Sequence, residues 1–155
     1  MSELKPRMDY EPFKAAAPAV YAAMAALTKA VNDSGLEKDL TELIKIRASQ
    51  INSCAFCLQF HLTAARGLGI PVEKLDLVAA WREAGVFTPR EMAALAWTET
   101  LTRIESQGAP DAVYAQLREQ FSESEAAFLT VSIGTINQWN RIAVGLRFSP
   151  PLPKA

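Results

Sequence analysis

A chain of 155 residues that is 50% hydrophobic, with a net charge of −1, is long enough to bury one core and too apolar to be intrinsically disordered. Its 16 Lys and Arg against 17 Asp and Glu form no basic run, which argues against a nucleic-acid partner, since phosphate neutralisation needs clustered cations. No uninterrupted apolar run approaches the roughly eighteen residues of a membrane span, and the first residues lack the apolar core of a secretory signal, so a cytoplasmic protein that does not enter the membrane is expected.

The chain is rich in Ala, Leu and Glu and poor in alternating β-branched runs, which predicts an all-α fold of about six to seven helices. Residues 1–12 read as an N-terminal arm, 13–147 as a single helical domain and 148–155 as a Pro-rich tail. Pro12 opens a helix from Phe13 to about Val31, stopped by Asn32-Asp33-Ser34-Gly35. A second helix is expected over about Glu37 to Ser49. A third starts at Ser53 or Cys54 and stops at Gly67 or Gly69, before Pro71. The fourth covers Val72 to Glu83, closed by Gly85. Thr88-Pro89-Arg90-Glu91 is a capping box with proline at N1, opening a helix to about Glu105. Asp111 to Gln120 makes a short sixth. Ser122-Glu123-Ser124-Glu125 is a second capping box, opening a long helix to about Arg147. That last helix is apolar around much of its circumference from Ala126 to Ile136, as suits a central helix, an oligomer interface, or both. Trp81, Trp97 and Trp139 read as packing aromatics, and Asn137 and Asn140 as capping residues or a bridge to another subunit.

Both cysteines and the only histidine lie within eight residues, as Cys54, Cys57 and His61. On a helix these positions are i, i+3 and i+7, within about 60° of one face. With Ser53 or Asn52 as N-cap, Cys54 falls in the first turn, where unpaired N–H groups favour a thiolate. Cα atoms three apart on a helix are about 5–5.5 Å from one another, within reach of a disulfide. His61, at i+4 from Cys57, can take its proton. Glu42 stands twelve residues before Cys54. On one unbroken helix it would be about 18 Å away, but a turn at Gln50 to Ser53 would fold it back beside the thiols. Arg47 either pairs with Glu42 or faces solvent. A reducing compartment disfavours a structural disulfide, leaving redox chemistry or metal binding. Three donors on one helix face make a poor tetrahedron, and there is no second Cys-x-x-Cys, so neither a metal nor another cofactor is expected.

The segment Glu42 to His61, with Glu-x11-Cys-x-x-Cys-x-x-x-His set in an Arg-x-Ser-Gln-x-Asn context, resembles the core motif of the alkylhydroperoxidase D and carboxymuconolactone decarboxylase family. Leu77 to Trp81, Phe87-Thr88-Pro89-Arg90-Glu91 and Asn137-Gln138-Trp139-Asn140-Arg141 extend the resemblance over most of the chain. It implies a compact all-α homo-oligomer whose thiols reduce peroxides. Cys57 would be peroxidatic, Cys54 resolving, His61 the base and Glu42 a member of the proton relay. An external dithiol, lipoyl- or thioredoxin-like, would restore the pair. Where related peroxidases often place a second histidine before the second cysteine, this chain has Phe56, so the implied relay has one histidine. Members of the decarboxylase branch generally lack the cysteine pair, and lactone decarboxylation is not expected. The alternatives are a redox-responsive regulatory or binding oligomer with little turnover, and a metal-binding scaffold.

Overall fold

The structure, a computed structural model, describes residues 4–153; the first three residues of the expected arm and the last two of the tail lie outside it. It is all-helical among the described residues: α1 (Tyr10–Ala16), α2 (Pro18–Asn32), α3 (Lys38–Ile51), α4 (Ala55–Gly67), α5 (Val72–Leu77), a 3-10 turn (Val78–Ala80), α6 (Trp81–Ala84), α7 (Pro89–Thr102), α8 (Ile104–Gln107), α9 (Asp111–Gln120) and α10 (Glu123–Leu146). No helix among them is long and apolar enough to cross a membrane.

Three of the expected helices are subdivided, the one that starts at Pro89 by a break at Arg103 between α7 and α8. The first begins before Pro12, because Asp9 caps it by accepting from the Tyr10 N–H at 2.9 Å. It then breaks at Ala17 (φ −133°, ψ 58°), where Pro18 pushes the preceding residue out of the helical region and starts α2 at N1. The stretch from Val72 to Glu83 passes through a 3-10 turn. Three residues per turn bring Val78 and Trp81 onto one face, and both are buried in the same cluster as Leu75. The two capping boxes form as read: Thr88 with Glu91, and Ser122 with Glu125.

Helices α3 and α10 are the hub. Leu40 and Ile44 of α3 pack with Leu129 and Ile133 of α10 and with Trp97 and Leu117. Leu43 and Ile46 face a second cluster containing Ala65, Val78, Trp81 and Leu95. Ala48 enters a third with Phe13, Ile136, Phe148 and both cysteines. Ala126, Leu129, Ile133, Ile136, Asn140 and Ala143 follow a helical stripe along α10, all buried. The two chain ends meet over this third cluster. Leu146 accepts from the Arg7 and Met8 N–H groups at 2.9 and 3.2 Å, and the Ser149 N–H donates to Asp9 at 3.0 Å.

Candidate active site

The thiols sit on a turn that serves two helices at once. At the end of α3 the Cys54 N–H donates to the Ser49 carbonyl (3.0 Å) and the Ser53 N–H to that of Gln50 (3.2 Å). This is the Schellman pattern, and Ser53 takes the left-handed position (φ 53°) that glycine usually fills. Cys54 then returns to extended backbone and becomes the N-cap of α4. The sequence favoured Ser53 or Asn52 there, but both are consumed by the termination of α3. The resulting connection is so short that α3 and α4 lie antiparallel and packed together.

As N-cap, Cys54 Sγ accepts from the Cys57 N–H at 3.3 Å, in the role usually taken by a serine or aspartate oxygen. Both cysteines are free, and only 1% of Cys54 and 3% of Cys57 is exposed. Cys54 is therefore closed off from solvent, and the tail residue Phe148 packs in the same cluster. The Cys57 thiol hydrogen-bonds to Cys54 and holds the Cys54 thiol below the usual range, aided against burial by backbone N–H groups and Asn140. The Cys57 thiol is pushed far up by that same hydrogen bond, by burial and by the Cys54 charge. Within the reduced pair Cys54 is thus the more acidic thiol and Cys57 the one that holds its proton more tightly.

The turn also brings Glu42 back. Its Oε2 lies 2.7 Å from His61 Nδ1 and its Oε1 accepts from Lys45 Nζ at 2.9 Å. Only 9% of Glu42 is exposed. Burial alone would raise its carboxyl, but His61 and Lys45 outweigh it and keep the group below the ordinary carboxylate range. An ionised Glu42 accepts the proton on Nδ1, which leaves Nε2 of a neutral His61 as the free acceptor. Arg47 does not reach Glu42. It donates to Glu99 (2.7 Å) and Gln50 (3.2 Å), and Glu99 also holds Trp81 and Arg82.

The side chains of Asn137 and Asn140 fasten α10 to the thiol turn within the chain. Asn52 Nδ2 donates to both side-chain oxygens at 2.9 Å. Asn140 Nδ2 donates to Ser49 Oγ at 3.1 Å, and Asn137 Nδ2 to Thr102 Oγ1 at 3.0 Å. An amide carries two N–H donors and Ser49 takes one from Asn140, so the second remains for the sulfurs.

A cavity of about 510 Å³ opens on Cys57 and His61, with Tyr10, Tyr21, Phe56, Phe60 and Trp139 among its walls. The Phe56 ring packs tilted against Tyr10 (centroids 5.1 Å apart) and edge-on against Phe148 (5.2 Å), so a hydrophobic wall stands where related peroxidases often have a second histidine. Trp139 is half-buried against Phe13 and lines this cavity, while Trp81 and Trp97 are core residues as read. Cys54 lies outside this cavity, in the wall of a separate groove with Arg147, Phe148 and Pro150. Sequence reasoning did not find Lys45, Ser49, Asn52, Tyr10 or Tyr21 as site residues. Only Lys45, at i+3 from Glu42, carried a local signal.

Residues 18–100 match the model of the carboxymuconolactone decarboxylase family. The chain belongs to this family. Within its wider circle, the uncharacterized protein YdfG of Bacillus subtilis (strain 168) is 38% identical over 120 residues, 77% of this chain and 82% of that protein. A crystal structure of ATU0492 from Agrobacterium tumefaciens superposes with a TM-score of 0.90 at 42% identity, covering 96% of this chain and all of the other. ATU0492 is a protein of unknown function for which a role as the antioxidant defence protein AhpD has been suggested. A peroxidase-related protein from Ralstonia eutropha JMP134, with an alkylhydroperoxidase AhpD core, shares the fold at TM-score 0.79 and 24% identity, over 92% of this chain and 80% of that one. In this carboxymuconolactone decarboxylase family member, no group of three or more His, Cys, Asp or Glu among the described residues is arranged to hold a metal ion.

Proposed function

We propose that the chain is a thiol peroxidase in which Cys57 attacks the peroxide, Cys54 resolves the product and an external dithiol restores the pair. The observation that carries this reading is the cavity that reaches Cys57 and His61 together but not Cys54. His61, oriented by Glu42 at 2.7 Å, removes the Cys57 proton through Nε2. The thiolate takes the terminal peroxide oxygen, the O–O bond breaks, and the departing alkoxide collects the proton from His61. Cys57 is left as a sulfenic acid. Cys54, the more acidic of the two thiols, attacks that sulfur as its thiolate; hydroxide leaves and is protonated to water, and a disulfide closes the first turn of α4. A dithiol then returns two electrons by thiol–disulfide exchange.

Two supporting traits belong to the same proposal. A cytoplasmic setting keeps the resting pair reduced, and self-association would cover apolar side chains left exposed, such as Val20, Leu27 and Val131. The test is steady consumption of tert-butyl hydroperoxide with dihydrolipoate as reductant, together with dimedone trapping in Cys54→Ser. Turnover by wild type and a dimedone adduct on Cys57 are expected. Undiminished turnover by Cys57→Ser, or an adduct on neither cysteine, sinks the reading. A single disulfide forming without any turnover would favour a redox-responsive binding protein instead.

A further inference from the structure

The cavity at Cys57 is long and has chemically different ends. Its α2 wall runs from Tyr21 to Asn32, about 16 Å of helix. Near the thiol the walls are Tyr10, Tyr21, Phe56 and Trp139. At the far end they are Lys29, Asn32, Asp33 and Lys38. The antiparallel pairing of α3 and α4, fixed by the contact between Glu42 and His61, gives the scale. Cys57 lies one turn to one side of that contact and Lys38 one turn to the other, so about 12 Å of helix axis separates them.

The charges at the far end are not equivalent. Lys29 is paired with Asp33, and Lys45, deeper in, with Glu42. Glu37 is engaged by Arg90. Lys38 makes no ion pair among the described residues, although it lines the cavity and follows the N-cap of α3, a helix end with no side-chain cap. The one other nearby carboxylate, Asp39, is not in the cavity wall. An unpaired ammonium beside a helix N-terminus favours an anion.

Building on the peroxidase reading, we propose that this cavity selects long apolar hydroperoxides with one terminal anion, the chemistry of a fatty acid hydroperoxide, with the peroxide at Cys57 and the carboxylate at Lys38. The aromatic walls hold the alkyl run between them. The step is the one already written: the peroxide becomes a hydroxyl, water leaves, and the dithiol supplies the two electrons. Lys38 touches no reacting atom and acts on which substrate is captured.

The experiment compares kcat/KM for linoleic acid hydroperoxide and its methyl ester, below their aggregation concentrations, in wild type and Lys38→Gln. Lys38 is solvent-exposed at the cavity mouth, so wild type should favour the acid by about two- to fivefold, the range of an exposed ion pair. The preference should shrink at about 1 M salt, where screening acts within about 3 Å, and vanish in Lys38→Gln. Equal rates for acid and ester in wild type, or a preference that survives in Lys38→Gln, overturn the proposal. If no hydroperoxide is consumed, the peroxidase reading alone has failed. The cavity is then tested by tryptophan fluorescence with linoleic acid and its methyl ester, where equal affinities overturn the assignment and tighter, Lys38-dependent binding of the acid upholds it.

Discussion

Replacing Glu42 by glutamine changes almost nothing in shape and removes the one charge that faces His61. The carboxylate meets the imidazole at 2.7 Å and Lys45 at 2.9 Å. Two unit charges about 4 Å apart, at an effective dielectric constant of about 20, interact by about 4 kcal/mol. A glutamine oxygen still accepts from Nδ1–H and retains roughly half of that as a neutral hydrogen bond. The loss to a transition state carrying an imidazolium is then about 2 kcal/mol, or about thirtyfold in kcat/KM. The same substitution leaves the Lys45 ammonium without its ion-pair partner. Glu42→Gln should also lower stability by about 1–2 kcal/mol, a fall of about 3–6 °C in Tm for a chain of this size, so the protein remains folded at the assay temperature. The assay is peroxide consumption with a saturating dithiol, paired with thermal unfolding. Lys45→Met, which keeps the contact between His61 and Glu42, should lose clearly less activity than Glu42→Gln. Retention of wild-type kcat/KM within twofold by Glu42→Gln would refute the role of the carboxylate in orienting the base.

Asn140→Asp should raise the pH at which the Cys54 thiolate forms, because a donor that lowers it is exchanged for an anion; thiolate absorbance near 240 nm against pH reads this directly, while Asn137→Ala, which touches Thr102 rather than the sulfurs, should leave that titration in place. Acid should destabilise the fold through Glu42 and Glu99. Burial would raise both carboxyls, but their partners hold them below the ordinary carboxylate range. A depressed folded pKa means the stabilisation is present above about pH 4.5 and is lost as pH falls through the folded value. Urea midpoints should therefore drop between pH 5 and pH 3, and Glu99→Gln should flatten that drop. At neutral pH Glu99→Gln should cost about 3 kcal/mol, since it strands the largely buried Arg47.

The helices with strong end signals were legible in the sequence. The capping boxes at Thr88 and Ser122 and the stop at Gly69 act through the backbone within a few residues, so local reading finds them. The break at Pro18 had its signal too, but the capping aspartate Asp9 stood outside the span assigned to a helix. Subdivision of the stretch from Val72 to Glu83 is set by the shared burial of Val78 and Trp81, which no local propensity encodes. At the site, the proximity of Glu42 to His61 followed from allowing a turn near Gln50. The burial of Cys54 did not, because Phe148 reaches it from the other end of the chain. The aromatic walls from Tyr10 and Tyr21 were likewise hidden, since they come from the arm and α2 and meet Trp139 only in the folded chain.

The central claim is that the two thiols act on peroxide as one unit, and a single turnover without reductant tests it most directly. Fully reduced protein should consume one equivalent of tert-butyl hydroperoxide per chain and lose both free thiols. Peptide mass mapping should find one intramolecular Cys54–Cys57 disulfide. Protein that keeps both thiols free under excess peroxide, or consumes it equally fast once Cys57 is replaced by serine, would contradict the account.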